Sequence, residues 1–162
     1  MIKTNPRVTI TVEGHQEPLI LELYHDKAPM TVDNFIKLAN SKYYEGSIFH
    51  RVIANFMIQG GMGASGVQPI EGEFAENGFP ENNILHERGV ISMARTQNPN
   101  SATTQFFIVH KNSPHLDGKY AAFGKMLDGW AILDAIATTS TDRFDRPIKD
   151  VVISEITVET FA

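Results

Sequence analysis

The chain has no cysteine, which excludes a disulfide framework, a thiol nucleophile and a cysteine-based zinc site. It has no excess of positive charge either. Against 19 Asp and Glu stand 14 Lys and Arg, a formal net charge of −5, and no basic cluster makes a local field, so nucleic acid is not an expected partner. No apolar run approaches the ~20 residues that a membrane span requires, and the stretch from Met1 to Val8 lacks the apolar core of a signal peptide. A soluble cytoplasmic protein without membrane association is the expectation. The length of 162 residues fits one domain over residues 1–162, long enough to bury a substantial core.

Several familiar chemistries are also missing. His15, His25, His50, His86, His110 and His115 never occur at the i, i+4 spacing of a helical metal pair, so no metal site is expected. No G-x-S-x-G elbow or comparable nucleophile context occurs. Gly61-Met-Gly63-Ala-Ser-Gly66 satisfies the G-x-G-x-x-G pattern of dinucleotide sites, but Pro69 and Gly72 follow where the phosphate-binding helix should run. The match is therefore set aside.

What the chain does contain is short alternating apolar segments. Val8, Ile10 and Val12 alternate with Thr9, Thr11 and Glu13, and Leu19, Leu21 and Leu23 repeat the pattern beyond the turn His15-Gln-Glu-Pro18, which predicts a hairpin with one buried face. Further extended segments centre on His50, Ile58, Ser92, Phe107, Phe123 and Ile156, giving eight with those at Ile10 and Leu21. Two helices compete with them. Thr31 stands as an N-cap for one from about Val32 to Asn40, with Val32, Phe35, Ile36 and Ala39 on one face. The other opens near Asp128-Gly129, carries Trp130, Leu133, Ile136 and Ala137, and ends at Thr138. Eight strands without regular βαβ alternation predict a fold dominated by β structure: a closed eight-stranded antiparallel β-barrel capped by two α-helices.

The stretch Phe49-His-Arg-Val-Ile-Ala-Asn-Phe-Met-Ile-Gln-Gly-Gly61 reads as a site as well as a strand, because Arg51 and Gln59 place a five-donor fork and an amide inside an apolar run. Period two over Ser47 to Ile53 puts Phe49, Arg51 and Ile53 on one face and His50 and Val52 on the other. A second stretch, Val90-Ile-Ser-Met-Ala-Arg95, leads through a polar loop to Gln105-Phe-Phe-Ile-Val109, and there Gln105 and Phe107 share a face. Leu116-Asp-Gly-Lys-Tyr120 is a turn with an apolar edge.

Together these three stretches resemble the cyclophilins, a family of peptidyl-prolyl cis-trans isomerases. Phe49 to Gly61 is similar to the family's central signature, Ser92-Met-Ala-Arg-Thr96 with Ser101-Ala-Thr-Thr-Gln-Phe-Phe-Ile108 to its second, and Leu116-Asp-Gly-Lys119 with Phe123-Gly124 to its third. Met93-Ala-Arg-Thr-Gln97 is most similar to bacterial members. The resemblance implies the family's eight-stranded barrel with two capping helices, isomerisation of X-Pro bonds and no cofactor. It implies that Arg51, Gln59 and Phe107 form the catalytic set with Arg51 at its centre. Phe56, Met57, Phe107 and Leu116 are then the walls around the substrate proline, Gln59, Ala94 and the Arg95 backbone hold the peptide, and Gln105 orients Arg51. Tyr120 stands at the pocket rim where many members have histidine, and His115 where animal forms have tryptophan. Implied partners are proline-containing peptides and unfolded or flexible proteins, and also cyclosporin, at reduced affinity because of His115. A monomer is expected. Met62 to Arg88 follows the family least closely.

Two other classes remain open on the residues alone. A proline-peptide binding module would keep Phe56, Met57, Phe107 and Leu116 but could dispense with Arg51. A ligand-carrying barrel needs a hollow lumen, which the supply of Phe, Met, Ile and Leu disfavours.

Overall fold

In the computed structural model, which describes residues 5–160, the alternating segments pair into one sheet. Its strands are β1 (Arg7–Val12), β2 (Leu19–Leu23), β3 (Arg51–Ile53), β4 (Met57–Gly60), β5 (Val90–Met93), β6 (Phe106–Val109), β7 (Ala122–Asp128) and β8 (Ile153–Glu159), with helices α1 (Pro29–Asn40) and α2 (Trp130–Ala137). Each expected strand centre falls inside its strand except His50, one residue ahead of β3. Met1 to Thr4, at the start of the stretch read for a signal peptide, lie outside the described residues. No helix among the described residues is long and apolar enough to cross a membrane.

All pairings are antiparallel, in the order β3-β4-β6-β5-β7-β2-β1-β8. The sheet curls strongly, but the closed barrel expected from the sequence is an overstatement: β3 and β8, the two ends, form no ladder with each other. The physical reason lies in β3, which is three residues long and whose free edge is already used, since the Val52 N–H donates to the Asp145 carbonyl at 2.7 Å. The gap is stitched only by the residues before β3. Gly46 and Phe49 N–H groups donate to the carbonyls of Ile153 and Val151, and Ile153 N–H to that of Ser47.

That stitching overturns the expected alternation from Ser47 to Ile53. Phe49 belongs to the segment paired with residues 151–153, is fully buried, and packs edge-on to Phe106 at 6.2 Å between ring centroids. Arg51 starts the next extended piece and is exposed. The chain rotates between them, so they do not share a face.

From β3 to β5 the sheet is apolar on both faces. Val52, Ile58, Ile108 and Ile91 lie side by side by register and point into the main core with Phe35, Phe49, Phe106 and Phe123. Their sequence neighbours point outward into a second, smaller cluster of Met57, Val90, Phe107, Val109, Leu116 and Ala122. This outer cluster, and not the inner core, carries the site.

Helix α1 starts earlier than its apolar periodicity suggests. Its N-cap is Ala28 and Pro29 opens the first turn, where a missing N–H costs nothing. Thr31 is therefore not a cap but a buried first-turn residue, and its main-chain N–H and its hydroxyl donate to Glu73 Oε1 at 2.6 and 2.7 Å. A buried carboxylate 42 residues away supplies the acceptor that a local cap would have given. Because Thr31→Val removes one of the two donors to this buried carboxylate and leaves only the main-chain N–H, it should lower stability by about 1–3 kcal/mol. Urea unfolding that shows no change in midpoint would contradict this role.

Candidate active site

The register that builds the outer cluster also lines up the candidate residues. Arg51 stands opposite Gln59, Gln59 opposite Phe107, and Phe107 opposite Ser92, a lateral row across β3, β4, β6 and β5. Paired residues of neighbouring strands project to the same side, so the exposed guanidinium of Arg51 ends up over an apolar floor. The β4 exit is tight. Gly61 has φ +90°, and a Cβ there would meet the Thr104 carbonyl at 2.8 Å.

The row opens into a cavity of about 140 Å³ lined by Arg51, Phe56, Met57, Gln59, Ala94, Arg95, Phe107, Leu116 and Tyr120. Of the residues singled out in the sequence, only Gln105 and His115 are not among these. Gln105 makes no hydrogen bond to Arg51: its Oε1 accepts from Gln59 Nε2 at 3.0 Å, so it fixes the amide next to the arginine. With Gln59, Ala94 and Arg95 it lines a neighbouring polar hollow of about 210 Å³. His115 lies exposed behind Phe56, ring centroids 5.5 Å apart. The Arg51 guanidinium makes no hydrogen bond or ion pair among the described residues, which leaves its donors directed at the cavity and solvent. A larger hollow of about 690 Å³ elsewhere is lined by Tyr24, His25, Asp33 and others. Its His25 and Asp33 pair with each other at 3.0 Å, and its Lys27 carries a flexible point charge in place of a planar guanidinium fork.

Arg95 acts through its side chain and not only its backbone. Its guanidinium donates to the Lys119 and Thr96 carbonyls and stacks 4.5 Å from the Tyr120 ring centroid and 4.9 Å from that of Phe74. Phe74, from the stretch least like the family, backs this wall without any local signal in the residue pattern.

A second set of residues escaped sequence reasoning. Behind Phe107 lies His86, fully buried, its ring nearly parallel to the phenyl at 6.0 Å between centroids. Its Nδ1 is 3.2 Å from Asp117 Oδ1, which also accepts the His86 main-chain N–H at 2.6 Å, and its Nε2 is 2.9 Å from Ser92 Oγ. The carboxylate only accepts, so Nδ1 carries the proton and Ser92 donates to Nε2. Ser, His and Asp are thus in hydrogen-bonding order, yet Ser92 is completely buried, so it serves as a brace for Phe107 and not as a nucleophile. Ser92, the one polar residue in the run Val90–Met93, was the available signal.

The chain and its fold have counterparts. The family model described as cyclophilin type peptidyl-prolyl cis-trans isomerase/CLD matches residues 7–158. The chain is a cyclophilin. It is 37% identical over 155 residues to the human peptidyl-prolyl cis-trans isomerase-like 3, covering 93% of this cyclophilin and 96% of that protein. To the peptidyl-prolyl cis-trans isomerase-like 2 of Gibberella zeae it is 37% identical over 150 residues, 91% of this chain but 26% of the fungal protein, so it spans about a quarter of that longer relative. Among solved structures, a cyclophilin type peptidyl-prolyl cis-trans isomerase of Cryptosporidium parvum superposes with a TM-score of 0.85 at 30% identity, covering 98% and 100% of the two chains. The same parasite protein was also solved in the presence of the dipeptide Ala-Pro, with a TM-score of 0.83 and 31% identity, covering 94% of this cyclophilin and 98% of that chain.

Burial holds the His86 imidazole below the ordinary histidine value of 6.5, against the opposing pull of Asp117. His50 is lowered as well, by burial first and then by Arg146 and Arg51, and its Nδ1 is buried without a partner. Folded-state values below 6.5 mean that the unfolded chain binds more protons as the pH falls past 6.5. The stability that these two neutral rings contribute is therefore complete above that value and lost below it. The urea midpoint of this cyclophilin should hold steady from about pH 8 to 7 and decline from about pH 6.5 to 5. A flat midpoint across that lower window would contradict the assignment.

Proposed function

We propose that this cyclophilin catalyses rotation about X-Pro peptide bonds in peptides and in unfolded or flexible protein segments, with Arg51 as the central catalytic residue. The observation that carries this reading is the unpaired guanidinium of Arg51 beside a small apolar cavity. A pure binding module would have no use for an uncompensated donor there.

The reaction makes and breaks no σ bond. Rotation is slow because it destroys amide resonance, with a barrier of ~20 kcal/mol and uncatalysed times of tens of seconds or more. As the amide twists, the proline nitrogen regains its lone pair. A guanidinium N–H aimed at that nitrogen bonds to the twisted state and to neither planar one, which is the differential stabilisation that catalysis needs. Phe56, Met57, Phe107 and Leu116 hold the pyrrolidine ring still while the preceding carbonyl swings, and by excluding water they strengthen the donor's effect. Gln59, its amide fixed by Gln105, and Ala94 with Arg95 hold the peptide on either side. A turnover of ~10³ per second would need about 7 kcal/mol of such stabilisation, within reach of a charge-assisted hydrogen bond combined with orientation. Activity on folding clients in the cytoplasm is part of the same proposal.

In a protease-coupled assay on a short X-Pro peptide, Arg51→Ala should fold normally and lose about tenfold or more in kcat/KM. Wild-type kcat/KM in the folded variant would overturn the assignment of Arg51.

His115 sets a second expectation, for cyclosporin. This exposed imidazole leans on Phe56, so an apolar cyclic peptide covering the rim would have to bury it. An imidazole offers less apolar contact than an indole, and its ring nitrogens must be desolvated. Cyclosporin affinity should therefore be about tenfold or more below that of relatives with tryptophan at this position, a difference of ~1.4 kcal/mol, and His115→Trp should recover part of it. Calorimetric titration of both proteins tests this. Equal affinity for wild type and variant would show that His115 does not limit binding.

A further inference from the structure

The β3–β4 connection, Ala54-Asn55-Phe56, carries one wall of the cavity, and it is held from outside the turn. Asn55 has φ +65°, in the left-handed region that asparagine tolerates better than most residues, and the Phe56 N–H closes the turn on the Ile53 carbonyl at 3.1 Å. Two further bonds come from His110, one residue past β6. Its main-chain N–H donates to the Phe56 carbonyl at 2.8 Å, and its ring Nδ1 accepts the Asn55 main-chain N–H at 2.9 Å.

A backbone N–H can only donate, so His110 Nδ1 must be the bare nitrogen and Nε2 must carry the proton. Nε2 lies 2.9 Å from Asp134 Oδ1, on α2, and a carboxylate there selects that tautomer. Asp134 is itself gripped by Arg88, whose two terminal nitrogens donate to Oδ1 and Oδ2 at 2.8 and 3.1 Å. The same guanidinium donates to the His110 carbonyl at 3.1 Å and lies 5.4 Å from the Trp130 ring centroid. The His110 ring is satisfied at both nitrogens. Here both are committed, one to the helix and one to the turn beside the cavity.

We propose that His110 and Asp134 are positioning residues of this isomerase: Asp134 fixes the tautomer of His110, and the acceptor nitrogen so created holds Asn55, and with it Phe56, against the proline pocket. This rests on the reading of the pocket given above. Neither residue itself lines the cavity. Both act through the turn, so α2 contributes to substrate capture without reaching the substrate.

The geometry gives a test that simple packing would fail. In His110→Asn the side-chain oxygen can replace Nδ1 as acceptor and has no tautomer to be chosen. His110→Gln can keep a donor toward Asp134 but offers no acceptor at the Nδ1 position. Asp134→Ala, at a half-exposed site, leaves the fold intact and frees the tautomer. Amide exchange followed by NMR should show the Asn55 N–H protected in wild type and in His110→Asn, and exchanging about tenfold or more faster in His110→Gln and Asp134→Ala. The kcat/KM on an X-Pro peptide should fall about fivefold or more in those last two variants, chiefly through a higher KM, and by no more than about twofold in His110→Asn. The double variant Asp134→Ala/His110→Asn should be no worse than His110→Asn alone, because the asparagine no longer needs Asp134. Equal defects in the Asn and Gln variants, simple additivity in the double variant, or unchanged Asn55 exchange in Asp134→Ala would overturn the proposal. Asn55 exchange and the ring-nitrogen shifts of His110 are read without any substrate, so an inactive wild type would count against the isomerase reading while these signals still judge the clamp.

Discussion

The pocket depends on a lateral register, Arg51 against Gln59, Gln59 against Phe107 and Phe107 against Ser92. Side chains alternate faces along a strand, so a slip of one residue in any of these pairings would turn the row inward and bring Val52, Ile58, Ile108 and Ile91 out. Burial prevents the slip. Those four aliphatic residues are sealed in the main core, and exposing them would cost far more than the outer row could return. The main core therefore specifies a site that it does not contain.

On that register the floor and the donor are held by different means. Phe107 is braced from behind by the buried His86, which bonds to Ser92 and Asp117, and flanked edge-on by Tyr120 at 5.8 Å. Arg95 closes the side by stacking between Phe74 and Tyr120 while its donors are spent on carbonyls. Of the two guanidinium groups at the cavity, that of Arg51 is left without a hydrogen bond or ion pair among the described residues. That contrast between a braced floor and an uncommitted guanidinium is what the donor role proposed for Arg51 requires: a surround fixed in advance and no competing bond to give up.

Strands β1 and β2 and both helices were legible in the sequence because each buries one side and so writes its period into the residue pattern, whereas β5 and β6, buried on both faces, show only as short apolar runs. The pocket residues were legible through the resemblance, and nine of those around the cavity are among the ones it named or placed beside it. What could not be read was set by contacts distant in sequence. Thr31 looked like a cap because nothing local reveals Glu73 as the acceptor 42 residues on. Phe49 looked like a neighbour of Arg51 because the pairing of residues 46–49 with 151–153, which turns the chain between them, joins opposite ends of the sheet. The barrel looked closed because eight alternating strands do not announce that the edge of β3 is taken by Asp145. His86 and Asp117 were invisible as a brace, since a lone histidine and a turn aspartate carry no periodic signal.

The central claim is that this surface turns a proline amide and does more than bind it. The most direct measurement is two-dimensional exchange NMR on an Ala-Pro-containing peptide in the presence of a small fraction of wild-type protein, with amide shifts of the protein followed in the same samples. The account predicts cross-peaks linking the cis and trans resonances of the peptide, growing with protein concentration, together with shift changes at Phe56, Met57 and Phe107. Shift changes at those residues with cis and trans peaks that never exchange would contradict it, and would leave a proline-binding surface without catalysis.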